Sequence, residues 1–121
     1  ELREQEELFK KYNNAADGRI KIWFGLRTIF NNSDDLIVGT KKLADKYGMQ
    51  CWTNAESFDR DMPIRFLPIK FDKLRMKLEA AKRAGYDKAI TFEFSHFMSP
   101  QSAYLQAGHL YDRYKEYFEI K

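Results

Sequence analysis

Glu56 and Glu93 are the residues whose type and spacing best suit chemistry. Each stands eight residues after a glycine that ends a helical pattern, Gly48 and Gly85. The shared offset predicts the same depth in two successive helix-turn-strand units. Residues 50–58 and 89–96 both have the pattern of short buried strands, with an acid near the C-terminal end of each. In a parallel α/β architecture that end is where ligands bind. Alternation predicts that Trp52, Asn54 and Glu56 share one face of the first strand, with Cys51, Thr53 and Ala55 on the other. On the second strand, Ile90, Phe92 and Phe94 are expected beneath the helices, with Thr91, Glu93 and Ser95 opposite. Both carboxylates would then face one cavity from adjacent strands ~4.8 Å apart.

Two close carboxyls repel when both ionise, so one is expected to hold its proton to higher pH. A proton donor beside an ionised acid is what glycoside hydrolysis uses, at carboxyl separations of ~5 Å in retaining and ~6.5–9.5 Å in inverting enzymes. Trp52 would offer a platform for a sugar ring, and Asn54 would bind hydroxyls. His96, just past a strand end and next to Ser95, would orient a carboxylate or donate to a substrate oxygen; the alternative is a cap on the following helix. Arg60 and Arg65 would form a lid, or else are solvated loop charges. Tyr104 is the member of the C-terminal tyrosine run closest to a pocket, whereas Tyr111, Tyr114 and Tyr117 have the spacing of packing surface. A purely structural alternative pairs Glu56 and Glu93 with Arg27, Lys21 or Arg65 in a polar interior. Both readings stay open at this level.

The elements that must position these groups follow from the pattern. Residues 1–12 predict a helix, 13–18 a loop, and 19–28 a first strand in which Ile20, Ile22, Phe24 and Leu26 alternate with Lys21, Trp23, Gly25 and Arg27. Ser33 with Asp34 and Asp35 starts a helix that ends at Gly48. Residues 59–70 predict a long irregular connection, of the kind that is usually functional. Phe71, Leu74, Leu78, Ala81 and Ala84 mark a helix ending at Gly85. Ser99-Pro100 predicts the N-cap and first turn of the last helix. Strands alternating with helices three times predict parallel pairing with right-handed crossovers.

Composition bounds the class. One domain fits in 121 residues, with 44% hydrophobic residues and ten Phe, seven Tyr and two Trp to build a core. A net charge of +3 from interspersed acids and bases shows no basic stripe for nucleic acid. No apolar run reaches the ~18 residues of a membrane span. The lone Cys51, with His96 and His109, makes neither an internal disulfide nor a metal-ligand cluster. Cys51 is expected to be a small strand residue facing the helices, and His109 to be a mid-helix surface residue. The chain begins at Glu1, inside a helical pattern and without a methionine, which predicts that sequence precedes it.

Trp52-Thr53-Asn54-Ala55-Glu56-Ser57-Phe58 and residues 91–100 resemble an uncharacterised bacterial family of glycoside-hydrolase-like TIM-barrel proteins. Residues 59–66, Pro68-Ile69 and residues 77–81 are similar to it as well, so the likeness runs from about Asp45 to Tyr114. That family has a strand ending in Gln-Asp-Gly where this chain has Trp23-Phe24-Gly25-Leu26-Arg27. The resemblance implies the C-terminal portion of a (β/α)8 barrel, its last two strands carrying Glu56 and Glu93. It also implies Glu56 as nucleophile or base, Glu93 as acid or electrostatic partner, and Trp52, Asn54, Ser95, His96, Arg65 and Tyr104 around a carbohydrate. The expected fold is therefore α/β, three parallel strands of a partial TIM barrel in one domain spanning 1–121. The expected function is a glycoside hydrolase using no metal or organic cofactor. Its rivals are a carbohydrate-binding barrel and a barrel fragment that self-associates through open sheet edges.

Overall fold

The computed structural model describes residues 2–26, 32–61 and 65–120, and the side chains of Arg60, Asp61 and Arg65 lie outside that description. The fold is mixed α/β, with a parallel strand pair, an antiparallel hairpin and flanking helices. Helix α1 (Leu2–Tyr12) and helix α2 (Asp34–Lys46) come first. Strand β1 (Trp52–Glu56), strand β2 (Phe58–Asp61), strand β3 (Arg65–Pro68) and helix α3 (Phe71–Arg83) follow. Strand β4 (Lys88–Phe92), the short helix α4 (Phe94–Phe97) and helix α5 (Leu105–Tyr117) complete the chain.

Local signals explain the helix ends. Ser33 accepts a hydrogen bond from the Leu36 amide at 3.3 Å and caps α2. Gly48 and Gly85 adopt φ of 65° and 79°, the left-handed turn that terminates α2 and α3 and that glycine enters without Cβ strain.

Strands β1 and β4 pair in parallel, with Asn54 opposite Ile90 and Glu56 opposite Phe92. Helix α3 is the crossover between them, and it packs beneath β1. Burial along β1 alternates: Thr53 and Ala55 are buried toward the helices, while Trp52, Asn54 and Glu56 face the other side.

Four expectations are corrected. Residues 20–26 form no strand, because side chains of the preceding helix and loop take up their backbone groups. Gln5 exchanges two hydrogen bonds with the Gly25 backbone, and Asn13 accepts from the Ile22 amide. The segment lies beside β1 with Phe24 and Leu26 buried; its end at 27–28, with Arg27, falls outside the described residues. Three parallel strands thus become two among the described residues. Second, the connection at 59–70 is mostly a hairpin, with Phe58 paired to Pro68 and Asp61 to Arg65.

Third, Ile90 and Phe92 do not lie beneath helices; register places them on the face of Asn54 and Glu56, and they are 49% and 52% exposed. Phe94 is exposed too. Fourth, Ser99 caps only a turn, accepting from the Gln101 amide, and α5 starts at Leu105.

The core has two centres. Phe24, Leu26, Ala44, Cys51, Ala81 and Tyr86 pack between α2, β1 and α3. Ala55, Ile69, Leu74, Met98 and Leu110 pack where α3 and α5 meet the end of β1. Cys51 is fully buried, and burial pushes its thiol pKa up.

Candidate active site at the strand ends

Glu56 and Glu93 both lie at the C-terminal edge of the parallel pair. Glu56 is the last residue of β1, half-buried and opposite Phe92, the last residue of β4. Glu93 follows directly, beyond the last paired residue, and with Phe92 on the face of Glu56 the alternation expected to turn both carboxylates to one face does not hold. Ser57 ties this edge together: its amide donates to the Phe92 carbonyl at 2.8 Å, and its hydroxyl donates to the same oxygen at 2.5 Å. The Phe92–Glu93 peptide is cis.

Glu93 stands at the N-cap of α4 rather than within a strand. Its Oε1 accepts from the Ser95 hydroxyl at 2.6 Å and also contacts His96 Nδ1. Ser95 Oγ and His96 Nδ1 are themselves 3.2 Å apart. The Ser95 hydrogen bond, then that of His96, holds the Glu93 carboxyl below the usual carboxylate range against a smaller desolvation effect. The rise expected from a neighbouring acid is thus not what Glu93 shows.

Lys77 is a functional candidate that the pattern analysis passed over. Only 7% exposed, it donates from Nζ to the Glu56 carbonyl at 3.0 Å. Burial pulls its pKa down, and the nearby charges of Glu56 and Asp59 oppose that shift. Its place three residues after Leu74 on the apolar face of α3 was a sequence signal for burial.

The remaining candidates separate by position. Trp52 lies at the opposite end of β1 from Glu56, about 13 Å away along an extended strand. There it stacks edge-on against Trp23 with ring centroids 5.5 Å apart, and Lys88 Nζ sits 4.5 Å from its ring centre. With Asn54 and Ile90 these rings line a shallow cavity of about 180 Å³. Asn54 is exposed midway along the strand. Tyr104 precedes α5 and is linked to the site through its backbone: Ser102 Oγ accepts from its amide at 3.2 Å and donates to the His96 carbonyl at 2.6 Å. Arg65 belongs to β3, its side chain outside the described residues. His109 is exposed on α5. Among the described residues no three His, Cys, Asp or Glu side chains gather as a metal site, and no helix is long and apolar enough to cross a membrane.

Residues 5–104 match a family described as a domain of unknown function, DUF4434. The chain belongs to that family. A crystal structure from Bacteroides thetaiotaomicron VPI-5482, named a "putative alpha-L-fucosidase", is 92% identical over 73% of this chain, with a TM-score of 0.65. The chain covers 27% of that longer one. A 5'-deoxyadenosine deaminase of Methanobrevibacter smithii is 43% identical over 47 residues, which is 39% of this chain and 11% of the deaminase.

Proposed function

We propose that this member of the DUF4434 family supplies the C-terminal βα units of a (β/α)8 barrel that hydrolyses a glycoside, with Glu56 and Glu93 as its acid pair. The observation that carries the reading is the register of β1 and β4, which brings both acids to the same edge of a parallel pair. In barrel enzymes that edge forms the floor of the active site. The name given to the solved neighbour, 92% identical over the shared part, favours an α-L-fucoside as substrate.

Exposure supports the barrel. The chain presents 8570 Å² of surface at 14.4 kDa, against about 6,800 Å² for a folded monomer of that mass. The exposed hydrophobic residues include Ile90 and Phe92 on the sheet face away from the helices. Further barrel strands would cover that face.

The test is release of 4-nitrophenol from 4-nitrophenyl α-L-fucoside by the full-length protein that carries this chain. Glu56→Gln and Glu93→Gln should each lower turnover by roughly 10²–10⁴ while fucose still binds in calorimetry. A protein that binds fucose without cleaving any fucoside, before substitution, is a carbohydrate-binding barrel instead.

A further inference from the structure

Building on the acid-pair reading, we infer that Ser95 and His96 are positioning residues that fix the Glu93 carboxylate at the candidate site. Glu93, Ser95 and His96 lie within one four-residue run at the start of α4. Both donors fall on Oε1, and among the described residues Oε2 takes no hydrogen bond. One oxygen is clamped, and the other is left for a sugar. Buried Phe97 and Met98 and the Ser102–His96 backbone hydrogen bond hold the run in place.

Among the described residues the surrounding elements add no second cation at the carboxylate. Glu56 ends β1, and Lys77 of α3 donates to the Glu56 carbonyl. From α5, Tyr111 packs on Phe94 and Tyr114 bonds to Thr91. The Arg65 side chain of β3 lies outside the described residues. His96 is the one group whose charge contributes to holding Glu93 ionised among those described.

Carbon-13 titration of the side-chain carboxyls in this chain tests the clamp without any substrate. Glu93 should titrate below the ordinary glutamate range, and its midpoint should rise in Ser95→Ala and in His96→Leu. His96→Asn keeps a donor near the Nδ1 position and should return much of the shift. A Glu93 midpoint in the ordinary range, or one indifferent to all three substitutions, overturns the inference. Failure to cleave any fucoside before substitution sinks the hydrolase reading, and the titration still decides the clamp. An active enzyme with an ordinarily titrating Glu93 sinks the clamp alone.

Discussion

The contacts of Ser95 and His96 favour the ionised over the protonated form of the Glu93 carboxyl, and that fixes the sign of a pH effect. A carboxyl held below its unfolded value stabilises the fold above the ordinary glutamate range, about 4.3. The contribution is lost as pH falls through the folded-state value. Ser95→Ala should therefore narrow the stability gap between pH 6 and pH 3, measured by urea unfolding at both. An unchanged gap would show that the clamp does not couple to folding. His96 next to Glu93 was legible as an orienting group from its place past a strand end. Buried Lys77 was equally legible from its spacing on α3 but was masked by its charge. What the carboxylate of Glu93 does was not legible, because it depends on a helix turn of only four residues, Phe94–Phe97.

Helices α1 and α2 are joined by a charge cluster laid over aromatic packing. Phe9, Phe24 and Tyr47 pack at centroid distances of 4.5–5.8 Å. Above them Glu6 accepts from Lys46 at 2.6 Å and from the Tyr47 hydroxyl at 2.7 Å. Those two hydrogen bonds, Lys46 first, bring the Glu6 pKa from 4.5 to about 2. Docking of α1 should weaken as pH falls from about 4.5 toward about 2, seen as faster amide exchange in α1 than in α3. Glu6→Gln should loosen α1 at neutral pH too, and slow, unchanged exchange in that variant would contradict the assignment. Deeper in the fold, Leu110 on α5 is fully buried with Ile69, Leu74 and Met98. Leu110→Ala should cost about 2–5 kcal/mol in urea unfolding; a loss under about 1 kcal/mol would mean that α5 packs loosely.

At the scale of the molecule, the bare sheet face governs behaviour in solution. Ile90 and Phe92 line it about half exposed, with Trp23 64% exposed alongside. An apolar face of that kind, next to unpaired strand edges, favours association. Sedimentation of this chain should show concentration-dependent self-association, and Phe92→Lys should shift it toward monomer. A monomer at every concentration would argue that the face tolerates water. On the proposed barrel reading, a longer protein whose further strands cover that face should sediment without such dependence.

Residue spacing alone determined α1, α2 and α3, the glycine stops of the last two, the inward set of β1, and the arrival of Glu56 and Glu93 at one end of the parallel pair. Those features rest on local backbone sterics and on periodicity within single segments, which a chain carries wherever it folds. Tertiary structure alone decided the parallel register that turned Ile90 and Phe92 outward, the hairpin at 58–68, and the diversion of residues 20–26 to side chains of the N-terminal helix and its loop. Each of these depends on which distant backbone or side chain satisfies a polar group, and alternation along one strand carries no information about its partner's phase.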